Sequence, residues 1–296
     1  MNVHYGKIGD IWKHLPLAEI LSIEKPAMYW DPYAGSAEYP LTHSWERDYG
    51  VFHFLEKAGQ TPDLCDSVFL QLLIRLQNAE GKPAVYPGSP NLAMTLLGRS
   101  AEYLFCDTDS RGIDSIRRVA RTRGLPDTRA RCLVEDGIAA IQKNLSETSD
   151  QSLADLFALI DPYDPFERSR DGIHAADLFF RMTSKGAKAM LWYGWDTSEA
   201  REQIWTLLRE SCRSQGPKGM RSYWCGEIAL AEGDGLDRSA CPGVNGCGVL
   251  CANLSGISVR ACTKLGNSLV ATYHDARLPD NHSGAINFRT VEPQGL

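Results

Sequence analysis

The sequence lacks any long hydrophobic run. None of its segments approaches the roughly 20 consecutive apolar residues that a membrane-spanning helix needs, and the mean hydropathy of the 296 residues is −0.28. The N-terminal segment contains no apolar stretch that resembles a signal peptide. These absences argue against a helical membrane protein, so we expect a soluble, cytoplasmic protein.

The cysteines lack the spacing that would indicate a disulfide framework or a zinc site. They are nine in number and scattered, and several lie in apolar, strand-like runs such as residues 104–106. The densest group is Cys241, Cys247 and Cys251, which lacks the short paired spacing of a structural zinc site. We therefore expect reduced core thiols and no bound metal.

The sequence also lacks an excess of basic residues. The net charge of −6 argues mildly against a large nucleic-acid footprint, because neutralised phosphates supply much of the affinity in such complexes. Residues 111–131 do concentrate arginines, and they could either meet a polyanion or form an ordinary solvated helix face. These arginines are Arg111, Arg117, Arg118, Arg121, Arg123, Arg129 and Arg131.

The chain shows no internal repeat, low-complexity tract or clear linker, so we expect one domain over residues 1–296. Short apolar strands alternate with helical patterns, which predicts a Rossmann-like α/β fold with a mostly parallel, seven-stranded sheet covered on both faces. Such sheets bind ligands at the carboxyl ends of their strands. The predicted strands cover residues 28–31, 103–107, 132–134, 156–160, 187–193, 223–231 and 247–253.

Two helical regions complete this prediction. The connection between the first two strands is far longer than one crossover helix requires, so we expect a helical insertion subdomain over residues 40–84 with a helix near residues 68–73. Upstream of the first strand, Asp10 could cap a helix that continues to Leu21. Pro16 should kink that helix or delay its start.

Acidic residues recur where the predicted strands end, at Asp31, Asp107, Asp136 and Asp161. In a parallel α/β sheet these positions line one edge, where a nucleoside-like ligand would sit in the crevice. Asp107 is well placed to accept hydrogen bonds from both hydroxyls of a ribose. The same four carboxylates would suit a ligand that carries a positive charge.

The turn that follows Asp31 is built from small residues. Ala34, Gly35, Ser36 and Ala37 would let the backbone approach a ligand closely. The same residues would equally suit a tight turn between a strand and a helix. The turn lacks the Gly-x-Gly-x-x-Gly pattern, which disfavours a Rossmann-type dehydrogenase.

The segment 161–166 carries the sharpest chemical signal. An amino group on an aromatic ring is a weak nucleophile, so it needs acceptors for its protons and a wall that fixes the plane of the ring. Asp161 and the carbonyl of Pro162 could accept those protons, while Tyr163 or Phe166 could stack on the ring. The alternative is a proline-rich turn that ends a buried strand. The remaining candidates for substrate binding are Asp164 and Trp192.

Seven segments recur here in the order in which one known family has them. They are Asp10-Ile11-Trp12-Lys13-His14, Trp30-Asp31-Pro32-Tyr33-Ala34-Gly35, Tyr86-Pro87-Gly88-Ser89-Pro90, Glu135-Asp136-Gly137, Ile160-Asp161-Pro162, Leu191-Trp192-Tyr193 and residues 243–253. Through these segments the sequence resembles the RlmJ family, bacterial methyltransferases that methylate the N6 of an adenine in 23S ribosomal RNA. The third segment, which follows a helical insertion, is unusually specific.

The resemblance implies a class I methyltransferase fold and the cofactor S-adenosylmethionine, whose methyl group would pass to the acceptor by direct in-line displacement. It implies that Asp161 is the catalytic acceptor of the amino protons, with Pro162 and Tyr163 beside it. Tyr33 stands where the family has a histidine that contacts the cofactor. The residues that the matching segments and Asp107 would contribute to cofactor binding are Lys13, His14, Tyr33, Gly35, Ser89, Asp107, Asp136 and Gly137.

The sequence departs from the family near the substrate. The family's catalytic strand ends in Asp-Pro-Pro-Tyr, whereas Tyr163 replaces the second proline here and Asp164 replaces the tyrosine. The N-terminal approach is shortened, and Tyr5 is the candidate remnant of a tyrosine that presents the substrate. Three hypotheses follow. The first is methylation of an adenine in RNA or DNA. The second is a methyltransferase, or another enzyme that uses S-adenosylmethionine, acting on a small-molecule or peptide acceptor, and the third is a non-catalytic partner protein that binds S-adenosylmethionine.

Overall fold

The computed structural model of the protein describes residues 5–76, 85–169, 172–214, 222–232, 245–279, 282–292 and 296. Its strands are β1 (Met28–Asp31), β2 (Glu38–Pro40), β3 (Val85–Pro87), β4 (Glu102–Asp107), β5 (Ala130–Val134), β6 (Leu156–Ile160), β7 (Lys188–Trp195), β8 (Tyr223–Leu230), β9 (Gly246–Ala252) and β10 (Ile286–Val291). Eight of them form one sheet in the order β10-β8-β9-β7-β6-β1-β4-β5. The other two, β2 and β3, form a separate antiparallel pair.

Helices cover both faces of the large sheet. They are α1 (Ile8–Glu24), α2 (Trp45–Arg47), α3 (His53–Lys57), α4 (Val68–Arg75), α5 (Ser89–Leu97), α6 (Ser110–Thr122), α7 (Gly137–Glu147), α8 (Asp150–Leu153), α9 (Ala175–Thr183), α10 (Ser198–Ser214) and α11 (Gly256–Tyr273). Successive strand residues point to opposite faces, so Tyr29 packs into the core beneath α1, α5, α6 and α11. Trp30 packs into the core beneath α7, α9 and α10.

The predicted α/β fold with a mostly parallel sheet is confirmed, but the predicted number of strands is wrong. Strands β5, β4, β1, β6 and β7 are parallel neighbours, and β9, β8 and β10 extend the sheet with antiparallel pairings. The strand that the prediction lacks is β10. Its sequence alternates apolar Ile286 and Phe288 with polar Asn287 and Arg289, so a weak period-two signal was present.

The first helix differs from its prediction at its start and at Pro16. Helix α1 begins at Ile8, before Asp10, whose side chain accepts a hydrogen bond from the backbone N–H of Lys7. The helix continues through Pro16 to Glu24. Most of its residues are buried, so packing against neighbouring elements outweighs the hydrogen bond that a proline removes from the helix.

The long connection between β1 and β4 carries α2 to α5 and the small pair of strands β2 and β3. Helices α4 and α5 both contact α1, so this connection packs against the first helix. The predicted insertion over residues 40–84 includes residues 77–84, which lie outside the described residues. Its standing as a separate subdomain stays a prediction.

Eight of the nine cysteines lie in the described part of the chain, and all eight are free thiols. Cys225, Cys247 and Cys262 are buried, as core residues should be, while Cys241 lies outside the described residues. Within the described ranges, no group of three or more His, Cys, Asp or Glu side chains could hold a metal ion. No helix in those ranges is long and apolar enough to cross a membrane.

Candidate active site

Two acidic residues lie at the ends of neighbouring strands, at the point where the order of strands in the sheet reverses. From β1 the chain adds β4 and β5 on one side, and it then returns to add β6 and β7 on the other side. The crevice between the two central strands at such a point is the usual ligand site of an open α/β sheet. Asp31 ends β1 and Asp161 follows β6, so both residues lie at this crevice.

Asp31 is fully buried. Its Oδ2 accepts hydrogen bonds from Ser89 Oγ at 2.7 Å and from the Tyr29 hydroxyl at 3.3 Å. Its Oδ1 accepts one from the backbone N–H of Tyr33 at 3.2 Å. Burial raises the pKa of Asp31 to about 7, against the hydrogen bond from Ser89 and with a further increase from the Asp161 carboxylate. Asp31 therefore titrates near neutral pH.

This raised pKa predicts that stability depends on pH. Between about 4, the value of an unfolded aspartate, and about 7, folded Asp31 holds a proton that the unfolded chain releases. Its stabilising contribution is therefore present at low pH and is lost as the pH rises through about 7. A shift of three pKa units corresponds to about 4 kcal/mol. We expect Asp31→Asn to melt at a higher temperature than the wild type at pH 8, and to lose most of this advantage by pH 5.

Thermal unfolding followed by circular dichroism measures this difference across the pH range. Asp66→Asn is the matched control, because it removes one exposed carboxylate without touching the site. A difference in melting temperature between wild type and Asp31→Asn that stays constant from pH 5 to pH 8 would contradict the assignment.

Lys13 connects Asp161 to helix α1. Its Nζ lies 2.5 Å from Asp161 Oδ2 and 3.0 Å from Asp10 Oδ1, and its side chain is 9% exposed. Burial acts to lower the pKa of Lys13, but the two carboxylates outweigh it and the pKa is raised. Burial raises the pKa of Asp161, and the Lys13 ammonium opposes that increase. Lys13 therefore stays protonated and favours the ionised form of Asp161.

A cavity of about 770 Å³ opens in front of Asp161. Residues of α1 and α2, the segment 161–166, the end of β7 and helix α10 line it. The Asp161 side chain is 19% exposed, and among the described residues nothing forms a hydrogen bond with its Oδ1. This oxygen is therefore available to a substrate that enters the cavity.

Aromatic side chains line the same cavity. Tyr163 is 92% exposed, and Phe166 packs edge-on against His174 with 6.4 Å between ring centroids. The Trp192 ring lies 5.9 Å from Lys13 Nζ. The buried indole N–H of Trp192 has no acceptor in the described part of the chain apart from the weakly accepting thiol of Cys247. These rings offer flat surfaces on which an aromatic acceptor could stack.

The ends of β4 and the loop after β1 form the other half of the crevice. Asp107 Oδ2 accepts a hydrogen bond from the Gly35 N–H, and its Oδ1 accepts one from the Asp109 N–H, both at 2.8 Å. Each carboxylate oxygen has two lone pairs, so Asp107 keeps acceptor capacity for two further donors. Gly35 has a φ of +57°, which explains why a glycine closes this turn.

Asp136 and Gly137 begin helix α7 beside the same loop. Asp136 Oδ1 accepts hydrogen bonds from the backbone N–H groups of Ile138 at 2.9 Å and Ala139 at 3.2 Å, so it caps the helix. A Cβ atom at Gly137 would lie 1.9 Å from the carbonyl oxygen of Pro32. Only a glycine lets the helix approach the loop this closely.

Not every candidate lines the cavity in front of Asp161. His14 is buried, and its Nδ1 lies 2.8 Å from the Tyr86 hydroxyl. Burial lowers the pKa of His14 well below its ordinary value, and Lys13 lowers it further, so this histidine is neutral. Its place is between α1 and the insertion, as a structural histidine would be, and its contact with a cofactor stays a prediction.

Tyr5 also lies away from the cavity lining. Its hydroxyl donates a hydrogen bond to the Pro40 carbonyl at 2.7 Å, and its ring stacks on Tyr39 with 4.8 Å between centroids. The guanidinium of Arg47 lies 4.9 Å from the centre of the Tyr5 ring. Tyr5 is thus held against the connection between β1 and β4, and a role in presenting substrate stays a prediction.

Sequence reasoning missed three acidic residues of the cavity, Asp10, Glu46 and Asp196. Asp10 lies in the first matching segment, but the sequence suggested only a helix cap for it. Glu46 and Asp196 come from distant parts of the chain, and no local pattern marks them. These three acids line one cavity only because the fold brings α1, α2 and the end of β7 together.

Several arginines of residues 111–131 form contacts with neighbouring residues. Arg117 donates hydrogen bonds to Asp114 and to the carbonyl of Cys132. Arg111 pairs with Asp109, Arg123 with Asn91 and Arg131 with Asn144. These contacts favour the interpretation as an ordinary helix face and its following loop, and none of these arginines lines the cavity in front of Asp161.

A family model described as "RsmJ: Ribosomal RNA large subunit methyltransferase D, RlmJ" matches residues 24–215, more than half of the chain. The chain belongs to the RlmJ family. It is therefore a methyltransferase, and the third hypothesis, a non-catalytic partner protein, is set aside. The resemblance inferred from the seven segments is confirmed.

One solved structure supports the fold of this RlmJ family member, and a second shows a weaker match. A crystal structure of a protein from Legionella pneumophila matches with a TM-score of 0.67 and 18% identity, covering 97% of this chain and 98% of that chain. A methyltransferase from Agrobacterium tumefaciens, described as dependent on S-adenosylmethionine, matches with a TM-score of 0.38 and 16% identity, covering 82% of this chain and 60% of that chain. No curated protein matches the sequence.

The described residues fit the cofactor that the RlmJ family implies. S-adenosylmethionine carries a positive sulfonium, and the carboxyl groups of Asp31, Asp107, Asp136 and Asp161 lie at the ends of neighbouring strands. Asp107 retains acceptor capacity for ribose hydroxyls. The close approach of Gly137 to the carbonyl of Pro32 brings the start of α7 directly against the loop after β1.

Proposed function

We propose that this protein transfers the methyl group of S-adenosylmethionine to the amino group of an adenine in RNA, by direct in-line displacement, in the cytoplasm. Membership of the RlmJ family supports methylation of RNA. The observation that carries the proposal is Asp161, which follows β6 at the crevice and presents a free Oδ1 to a cavity with aromatic walls.

The residues of the cavity would activate the acceptor by positioning it. Asp161 Oδ1 and the carbonyl of Pro162 would accept hydrogen bonds from the two amino protons, which fixes the direction in which the nitrogen lone pair points. Tyr163, Phe166 or Trp192 would hold the plane of the ring. As the nitrogen gains positive charge during transfer, the Asp161 carboxylate would stabilise it.

Cofactor binding is proposed for the opposite half of the crevice. S-adenosylmethionine supplies a reactive methyl group that needs no metal or covalent intermediate. Asp107 would accept hydrogen bonds from its ribose hydroxyls, while Gly35 and the Asp136-Gly137 pair would let its nucleoside lie against the backbone. Lys13, His14, Tyr33 and Ser89 are the remaining proposed contacts.

Labelled methyl transfer tests this proposal. The purified protein is incubated with S-adenosylmethionine labelled in its methyl group, together with total RNA or, separately, with a phosphate-free pool of small metabolites. We expect label in RNA, recovered as N6-methyladenosine after digestion to nucleosides. Label confined to the metabolite pool would replace RNA with a small acceptor, and label in neither pool would contradict the proposal.

A further inference from the structure

The cavity in front of Asp161 has a charge that restricts what can enter it. Five carboxylates and two ammonium groups line it among the described residues, which leaves three formal negative charges in excess. An excess of this sign is the opposite of what neutralises a phosphate. The charged residues are Lys7, Asp10, Lys13, Glu46, Asp161, Asp164 and Asp196.

Both lysines are already paired inside the protein. Lys7 Nζ forms an ion pair with Glu46, and Lys13 Nζ bridges Asp10 and Asp161. This pairing leaves Asp164 and Asp196 as the two cavity carboxylates that have no cationic partner among the described residues. Both are exposed to solvent at the cavity surface.

Arginine does not compensate these two carboxylates. In the described ranges no arginine lines the cavity. Arg201 and Arg289 border a neighbouring cavity that Asp196 also lines, but each directs its Nε to the buried carboxylate of Glu227, at 2.8 Å. A phosphate that entered the cavity would therefore meet a lining with an excess of negative charge, and two like charges in contact repel even in water.

We propose that Asp164 and Asp196 make this enzyme select an acceptor group without phosphate. The selection rests on the proposed function, because it concerns the acceptor that Asp161 would hold. Aromatic walls beside carboxylates suit a neutral ring that carries an amino group, or a cationic amine. In an RNA acceptor, the base alone enters and its phosphates stay outside; a free acceptor is a nucleoside rather than a nucleotide.

Binding of adenosine and of adenosine monophosphate tests this selection. The cofactor site is first saturated with S-adenosylhomocysteine, so that neither probe can occupy it. Each probe is then titrated while the indole N–H signals of the tryptophans, Trp192 and Trp195 among them, are followed by NMR. We expect adenosine to bind at least about ten-fold more tightly than the monophosphate at low salt, and the ratio to shrink as salt screens the repulsion.

Variants that change the charge at Asp196 distinguish electrostatic repulsion of the phosphate from the shape of the cavity as the cause of the preference for adenosine. Its side chain is exposed, and its backbone carbonyl keeps the hydrogen bond from Asn245 whatever the side chain is. We expect Asp196→Asn to narrow the ratio and Asp196→Lys to raise the affinity for the monophosphate by about ten-fold or more. Glu147→Gln, at the exposed end of α7 and outside the cavity lining, is the control that should leave the ratio unchanged.

Three results would overturn the proposal: equal or tighter binding of the monophosphate in the wild type, a ratio that Asp196→Lys does not change, or binding of neither probe. These outcomes are distinct from failure of the proposed function. If RNA is not methylated but adenosine binds with the expected preference, the selection stands and the acceptor is a small molecule. If methylated adenine forms in RNA while both probes bind alike, the selection alone is wrong.

Discussion

Replacing Asp161 with asparagine should lower methyl transfer by about 10²-fold to 10³-fold, while the affinity for S-adenosylmethionine changes little. Asparagine has the same size but no negative charge, so it cannot stabilise the charge that develops on the acceptor nitrogen. The free Oδ1 at the cavity is the atom whose role is tested. Single-turnover transfer of labelled methyl measures the rate, and calorimetry measures the affinity.

The same substitution removes a partner of Lys13, so folding has to be measured beside activity. Asp155→Asn is the matched control, because Asp155 is an exposed acid just before the other end of β6. It should retain wild-type activity. Methyl transfer at the wild-type rate in a folded Asp161→Asn protein would remove Asp161 from the proposed mechanism.

Replacing Lys13 with methionine should move the acid limb of the pH–rate profile to higher pH. The ammonium opposes the effect of burial on the pKa of Asp161, so its removal raises that pKa further and fewer molecules hold the ionised form. A rise of one unit costs up to about ten-fold in rate below the new pKa. The variant should also lose about 3 kcal/mol of stability, because Asp10 and Asp161 lose a buried partner.

Two further variants decide whether the shift comes from charge at this position. Lys13→Arg keeps the positive charge, so its profile should stay close to that of the wild type. Lys185→Met breaks an exposed pair with Asp150, and such a surface pair contributes at most about 1 kcal/mol. An unchanged pH profile in Lys13→Met, with Asp161 still required for activity, would show that Lys13 does not control the ionisation of Asp161.

Several features of the site were predictable from local sequence. An apolar strand followed by an acid is a short pattern, and it placed Asp31, Asp107 and Asp161 at the ends of β1, β4 and β6. Strand polarity then put these acids on one edge, since parallel strands end on the same side. The cap of α6 by Asp109 follows from the same kind of local pattern.

Other features depend on contacts between distant residues. In the bridge from Asp10 through Lys13 to Asp161, Lys13 and Asp161 are 148 residues apart, and no local pattern relates them. The antiparallel addition of β10 depends on pairing with β8 rather than on its own weak alternation. Pro16 inside α1 shows that burial of a helix can override a residue that should have interrupted it.

The sequence alone thus determined an α/β sheet with acids at its strand ends, and it predicts that the chemistry lies in the segment 161–166 after β6. The tertiary structure decided the charge of the cavity in front of Asp161, because its carboxylates come from α1, α2, the catalytic segment and the end of β7. Electrostatic interactions depend on distance in space rather than along the chain. That is why Asp161 could be predicted from a local pattern, whereas the proposed selection of its acceptor depends on the folded protein.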